Sequence, residues 1–557
     1  MYIKLKGAAS SQFIWNNATK VGLLTFRENS MRFFTLLLTG FIMLTSGCAM
    51  IGPDFVPPVA PAADSWMGSE DPRFPAISAQ HEEWWTVFND PILNSLVEEA
   101  SRENLGLQVA GLRILEARAQ LGIATGTLYP QQQSAEASAA AVGASSHAAN
   151  TAAGDLDYGT LGISFNAAWE LDFWGKFRRG VEAANAQFLA TIADYDDVMV
   201  ALRAEVARFY ILIRIQEKRI SLAEASAAIQ KRSLEIAENR FEGGLVTELD
   251  VQQARSLLAN TLATIPGFQA EYRRFQNALS VLLGIPPQDL SERLHQVNGI
   301  GIPQPPAEVA VGVPAELLRR RPDVHRAELQ AAAQSALIGV SKADLLPHFT
   351  LIGSIGLQAS DSPLTAAGGS SFSDLFSSDS YTYFAGPSLT WDLFNYGRIK
   401  NQVRVQDARL QQLVIIYQNT VLNSAREVED AMAGFLGDQV RARYLSEAVT
   451  ASKRSVEMSS LQYGEGLADY QRVLDAQRGL TRDQDALAIV QGSVAINLVN
   501  MYKALGGGWQ VRPYENFIKP ETQQEMAERT DWGNLLNTER IHDETPEGND
   551  SWRWPDW

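Results

Sequence analysis

Phe241-Glu-Gly-Gly-Leu-Val-Thr-Glu-Leu-Asp250 and Tyr463-Gly-Glu-Gly-Leu-Ala-Asp-Tyr-Gln-Arg472 are two versions of one stretch, set 222 positions apart. At that offset Val251 meets Val473, Ala254 meets Ala476, and Leu283-Gly284 meets Leu505-Gly506, so the chain is a duplicated unit. Each version lies between two long segments of helical apolar spacing. A glycine just past the last helical position ends a helix, because it alone enters the left-handed region cheaply, and a short Gly-Leu link turns the next helix back alongside the first. Each stretch is therefore predicted to be the tip of a helical hairpin.

The arms of these hairpins are long. Phe188, Ile192, Tyr195, Met199, Leu202, Val206, Phe209 and Ile213 follow steps of four and three, and Leu410, Val414, Tyr417, Val421, Ser424, Val428, Ala431 and Phe435 repeat them 222 residues on. Such a seam lays helices side by side rather than around a compact core. Lys176 to Arg240 is 65 residues, about 100 Å of unbroken helix at 1.5 Å per residue. Pro266-Gly267 in the first return arm is predicted to kink or interrupt it, whereas Ala488-Ile489 stand there in the second.

Before each long helix the period changes to two. Leu161, Ile163, Phe165, Ala167, Trp169 and Leu171 alternate with Thr160, Gly162, Ser164, Asn166, Ala168 and Glu170. Phe349 to Leu357 and Tyr381 to Leu393 repeat the alternation, and Gln131 to Val142 shows a weaker, alanine-rich form. Strands of this kind fit the wall of a lipid-facing barrel around a watery lumen, and the same period also fits a half-buried soluble sheet. A membrane barrel has no free edges and needs about 8 strands, so four per chain must be pooled. Two chains pool about 8 and three about 12, and the larger number leaves a lumen that side chains do not fill.

Composition narrows the setting. A net charge of -17 and a pI near 5.0 exclude a nucleic-acid partner, which requires a basic face. Mean hydropathy is -0.12, and past the N-terminus no apolar run approaches the roughly 20 residues of a membrane helix. Met31 to Cys48 reads as a lipoprotein signal: Arg32, a short apolar core, then Ser46-Gly47 before the single cysteine of the chain. Cys48 is the expected lipidation site, and Ala49 after it favours the outer membrane. Gly52 to Ala63, rich in Pro and Ala, is predicted to be an extended tether, with the folded part starting near Trp84. Helices are expected from Asp90-Pro91 to before Tyr129-Pro130 and from about Pro314 to before Leu346-Pro347, the second carrying Arg319-Arg-Arg-Pro-Asp323 on an exposed face. The acidic tail, with Trp509, Trp532, Trp552, Trp554 and Trp557, has too little aliphatic content for its own core and is expected as a disordered extension or a strap on the helices. The six histidines are scattered, with no HExxH pair, Cys/His cluster or phosphate loop, so no catalytic residue, metal site or cofactor is expected. The expected divisions are 1–47 extension and signal, 48–83 lipidated tether, 84–284 repeat 1, 285–313 crossover, 314–508 repeat 2 and 509–557 tail.

Gly52-Pro-Asp-Phe, Trp84-Trp85 with Phe88-Asn-Asp-Pro91, Leu171-Asp172 with Trp174-Gly175, Arg240-Phe with Gly244-Leu245, Arg320-Arg-Pro-Asp-Val324 and Leu474-Asp-Ala-Gln-Arg478 occur here in one order and spacing. In these the chain resembles the outer membrane factor (TolC-like) family, and within it the lipoprotein branch serving tripartite drug-efflux pumps of the RND type. The resemblance runs from about Cys48 to Gly508. It implies a mixed α and β membrane protein: a homotrimer whose 12-stranded barrel, four strands from each chain, continues into a helical coiled-coil tunnel through the periplasm. The implied partners are outer-membrane lipid, a periplasmic adaptor and an inner-membrane RND-type transporter, and the implied role is an exit duct for small molecules such as drugs. A duct for type I protein secretion and a structural coiled-coil lipoprotein are the alternatives. The resemblance also implies two sites. Gly244, Leu245, Val246 and Thr247, with Gly466 and Leu467, match tips that meet the adaptor. Tyr463, Gln471, Asp475 and Arg478 match the periplasmic gate, although Gln471 stands where the family often has an apolar residue. Asp475 and Arg478, three apart on one helix face, are close enough to pair within a chain or around a threefold axis.

Overall fold

The structure, a computed structural model, describes residues 50–536 apart from 60, 62, 64, 69, 75–81, 148–155, 297–300, 307–319, 363–370 and 514–516. Cys48 and Trp552, Trp554 and Trp557 lie outside the described residues. In chain order the elements are α1 (Pro91–Glu103), α2 (Leu105–Gly126), β1 (Gln132–Gly143), β2 (Asp157–Glu170), α3 (Lys176–Glu242) and α4 (Glu248–Leu282). The second copy then supplies α5 (Pro322–Ala343), β3 (His348–Ser360), β4 (Tyr381–Thr390), α6 (Arg398–Gly464) and α7 (Tyr470–Ala504), and the tail adds α8 (Pro520–Arg529). The long arms α3 and α6 have 67 residues each and the return arms α4 and α7 have 35 each, so the duplication holds to the residue. No described helix is long and apolar enough to cross a membrane.

Two compact units arise from these elements, one built around Ala124–Glu182 and Ser335–Asp407 with the chain before Phe55, the other around Phe55–Ile123, Ala183–Gln334 and Ala408–Trp557. The first unit holds a four-stranded antiparallel sheet in the order β1-β2-β3-β4. Its register sets Ala137 opposite Ile163, Ile163 opposite Leu357 and Ile355 opposite Tyr383, so one face collects the apolar residues of every strand. Ser138, Gly162 and Gln358 run across the other face. The apolar face is bare, with Phe165, Ile355 and Leu389 more than half exposed. An apolar face turned to solvent and two unpaired edge strands are a sheet that is incomplete in one chain. At the base of this sheet, Ile51 donates its N–H to Trp174 at 3.0 Å and the buried Arg179 ion-pairs with Asp54 at 2.6 Å. Gly52 lies against the backbone of Gly339, where a side chain has no room.

In the second unit the predicted seam is the core. Phe188, Tyr195, Met199, Leu202, Val206 and Ile213 are buried, as are Tyr417, Val421, Ser424, Val428, Ala431 and Phe435 from the second copy. Helix α1 starts as its sequence directs, with the Asp90 carboxylate accepting from the N–H groups of Ile92 and Leu93.

Several expectations need correction here. The helix after Asp90 breaks at Asn104, whose side chain accepts from Leu107 N–H to start α2 and donates to the last carbonyl of α4, that of Leu282, at 2.9 Å. A matching break precedes Pro322, and Arg321 donates there to the last carbonyl of α7, that of Ala504, at 2.5 Å. Of the basic triplet, Arg320 is exposed and Arg319 lies outside the described residues, but Arg321 is buried and also pairs with Asp323 at 2.8 Å and Glu427 at 2.9 Å. Of the kink or interruption expected at Pro266, the interruption is absent: helix α4 runs through it. The carbonyl that proline leaves unbonded is on Leu262, which is exposed, so water can replace the lost donor. Burial also begins before Trp84, because Trp66 and Phe74 of the predicted tether pack into the core and Phe74 lies 6.1 Å from Phe435, ring to ring.

Of the two readings of the tail, the described residues are a strap. Phe517 stands edge-on to Tyr195 at 5.1 Å, Arg512 ion-pairs with the buried Asp196 at 2.8 Å, and Ile518 and Met526 cover Leu115.

Candidate functional site at the hairpin tips

Both tips are built by one backbone device. In the first, Gly244 takes a φ of 71°, its N–H donates to Phe241, and the N–H of Leu245 reaches back to Arg240 at 2.9 Å. In the second, Gly466 takes 75°, donates to Tyr463, and Leu467 reaches back to Gln462 at 2.8 Å. These paired bonds satisfy the final carbonyls of α3 and α6, and the left-handed residue they require explains glycine at both places. The turn throws the next side chain outward: Leu245 is 70% exposed and Leu467 78%. An apolar side chain held in water on a rigid, well-bonded turn gains nothing for the fold of one chain. Thr247 is exposed at the start of α4, while Val246 folds inward onto the cluster beneath.

That cluster joins the two tips. Val251, Ala254 and Leu257 from the first hairpin pack with Tyr463, Tyr470, Val473 and Leu474 from the second. Arg240, in the last turn of α3, lies over the ring of Tyr463 at 4.9 Å and donates to the carbonyls of Tyr463 and Gly464, the latter at 3.1 Å. A cation there neutralises the negative end of α6, so the first hairpin caps the second. Burial, reinforced by the charge of Asp250, pushes the Tyr463 hydroxyl up to about 12 against the opposing pull of Arg240.

The four residues matched to a gate do not stay together. Tyr463 is buried in the tip cluster, edge-on to Tyr470 at 5.2 Å. Gln471, Asp475 and Arg478 share one exposed stripe of α7. Within that stripe Asp475 accepts from Gln471 at 3.0 and 3.1 Å, and Arg478 makes no ion pair among the described residues, so the pairing of Asp475 with Arg478 inside one chain is not formed. Sequence reasoning missed Arg240 as a cap across the hairpins, although its place just before a hairpin tip was visible. It also missed Leu249 and Leu461, 63% and 60% exposed, which extend the bare apolar surface of each tip.

Comparison with known proteins agrees with this architecture. The family model for outer membrane efflux protein matches twice, over residues 96–285 and 313–507. The chain is similar to Nodulation protein T of Rhizobium leguminosarum bv. trifolii, with 29% identity over 86% of this chain and 98% of that one. It is likewise similar to the pyoverdine export outer membrane protein OpmQ of Pseudomonas putida, with 30% identity over 81% and 93%. Among solved structures, the outer-membrane channel OprN superposes with a TM-score of 0.76 and 31% identity, covering 83% of this chain and all of that one. Two copies of a helix, strand pair and helical hairpin unit, matched along nearly the whole of these relatives, show that the chain belongs to the outer membrane efflux protein family.

Proposed function

We propose that three copies of this chain close one β-barrel in the outer membrane and one helical coiled-coil tunnel beneath it, and that the six tips of the trimer receive a periplasmic adaptor. The chain is the outer-membrane exit duct of an efflux system. The observation that carries the assembly is the four-stranded sheet, with its two unpaired edges and one continuous bare apolar face. Three such sheets make a closed wall of 12 strands in which every edge is paired and every apolar face meets lipid, and which, unlike the 8 strands of two chains, leaves an open lumen.

In this reading Cys48 carries the lipid that fixes the tether at 48–83 to the membrane, repeats 84–284 and 314–508 are quasi-equivalent staves, and the crossover at 285–313 joins them. Gly244, Leu245, Val246, Thr247, Gly466 and Leu467 meet adaptor hairpins. Tyr463, Gln471, Asp475 and Arg478 form the gate, with Gln471, Asp475 and Arg478 converging around the threefold axis and Tyr463 packed on Tyr470 of the same helix. Three inward carboxylates repel one another, and the arginines of neighbouring copies balance them. The inner-membrane partner is an RND-type transporter. The export of pyoverdine named for one relative supports small-molecule cargo over secreted protein.

Deleting the gene tests this directly. The strain should become sensitive to small toxic solutes, with resistance restored by the wild-type chain and secreted protein unchanged. A loss of one exported protein with no change in sensitivity would contradict the reading.

A further inference from the structure

Far from the helices, the sheet carries a turn that folds back onto its apolar face. Helices α2, α3, α5 and α6 all join the strands at one end, so the β3–β4 connection lies at the other. Within that connection Phe372–Phe376 forms a 3-10 turn that packs on β3 and β2. Asp374 fastens it: its N–H donates to the Ser371 carbonyl at 2.9 Å, its carboxylate accepts from Ser371 N–H at 2.7 Å, and its carbonyl accepts from the Ser380 hydroxyl at 2.6 Å. Residues three apart in such a turn share one side, and here Phe372 and the buried Leu375 are the side that meets the sheet.

The contact is on the apolar face. Gly159 is in step with Leu161 and Ile163 along β2, and a Cβ on it would come within 2.5 Å of the Phe372 ring, so glycine leaves the space that the ring fills. Ala359, which the register sets opposite Leu161, is covered as well and is 6% exposed. Phe376 is left outside at 78% exposed.

Register shows what the turn adds. At its outer end β4 carries Tyr381 and Tyr383 on the apolar face, 66% and 86% exposed. The other three strands end that face on Ala139, Ala141, Gly159, Leu161 and Ala359, without an aromatic ring. A barrel wall carries aromatic residues where its apolar band meets the lipid headgroups, and the turn brings two over the strands that have none. The depth agrees. Ala359 is four residues past Ile355, about 13 Å along the strand and about 10 Å of depth at a tilt of about 40°. The apolar band of such a barrel is about 25 Å tall, so an Ile355 near its middle puts Ala359 and the turn at its outer boundary.

We infer that the turn Phe372–Phe376 is a lipid anchor, laid outward over β2 and β3 with Phe372 and Phe376 in the outer leaflet at headgroup depth. The inference rests on the barrel reading above and adds a surface that the strands do not supply. A second copy is not the occupant, because the turn covers the two central strands and a neighbour would meet the sheet at its edges. Lipid phosphate is not what holds it either. No Lys or Arg stands from Gln131 to Gly175 or from Pro347 to Gly397, so the strands and their outer connections hold the leaflet by apolar contact.

Phe376→Cys and Ile355→Cys test this when each carries a thiol-linked fluorophore in phosphatidylcholine vesicles with a nitroxide either at the headgroup or midway along the acyl chain. The wild-type chain, whose single cysteine is Cys48, sets the labelling background. The label at 376 should lose at least about twice as much emission to the headgroup nitroxide as to the chain nitroxide, and the label at 355 the reverse. In unlabelled protein, Phe376→Asp should lower the temperature at which trimers in these vesicles dissociate, and Phe376→Trp should restore it. A label at 376 quenched by aqueous iodide alone, beside a label at 355 quenched by lipid, would overturn the anchor and leave the barrel standing. So would an Asp variant as stable as wild type. Loss of lipid quenching at both positions would overturn the barrel as well.

Discussion

Replacing Leu245 by Asp tests the tips at their most exposed point. Fully burying a leucine is worth about 1.5–3 kcal/mol, and 70% of Leu245 and 78% of Leu467 remain uncovered in the chain. Docking therefore gains about 1–2 kcal/mol at each tip. Leu245 occurs three times in a trimer, so Leu245→Asp should remove about 3–6 kcal/mol, a loss of roughly 10² to 10⁴ in adaptor affinity. The carboxylate adds its own desolvation cost on docking. Because both tips are already solvated, trimer yield should be untouched. Leu467→Asp should act alike, and the double variant should lose the sum, the sites being on separate turns. Surface plasmon resonance of purified trimers over immobilised adaptor measures this, with drug resistance of the cells as the second readout. Wild-type affinity in both single variants would refute the reasoning and leave these segments as turns that only end helices.

Cys48→Ala should abolish palmitate labelling and impair signal processing, and labelling that persists in the variant would defeat the lipid assignment. Asp475→Ala with Arg478→Ser should raise single-channel conductance in planar bilayers and admit a bulky antibiotic; wild-type conductance in a folded trimer would place the gate elsewhere. Arg321→Ala leaves the carboxylate of Asp323 without its cation and the end of α7 without its cap, and should cost about 3–5 kcal/mol by chemical denaturation, against under 1 kcal/mol for an exposed pair. Burial alone would raise the Asp323 carboxyl, but the hydrogen bonds and charge of Arg321, with Val324 N–H and Arg326, hold it below its ordinary value. Its contribution is thus complete above the unfolded carboxylate range near pH 4 and is lost as pH falls through the lower folded value. Arg321→Ala should flatten that acid limb, and an unchanged limb would argue against the pair.

Much of the fold was legible because it is periodic. The 222-residue repeat, the alternation from Leu161 to Leu171 and the seam from Phe188 to Ile213 each report a regular surface, and each is found in place. What was not legible depends on single long-range contacts. Asn104 and Arg321 stand at the same joint of the two repeats and close the same helix ends, yet one is a neutral amide and the other a cation, so no residue identity marks the correspondence. Trp66, Phe74 and Phe517 are isolated aromatics in polar or proline-rich stretches, and nothing local reveals that they fill gaps between distant helices. At the tips the turn chemistry and the exposed leucines follow from Gly-Leu alone. The tie between hairpins does not, because it requires knowing that Arg240 and Tyr463 meet.

The central claim is that three chains pool their strands. Electron cryomicroscopy of the purified protein in lipid nanodiscs measures it most directly. The account predicts a threefold particle with a barrel of 12 strands, β4 of each copy paired with β1 of the next. A barrel closed by any other number of chains, or a sheet with its edges still open, would contradict it.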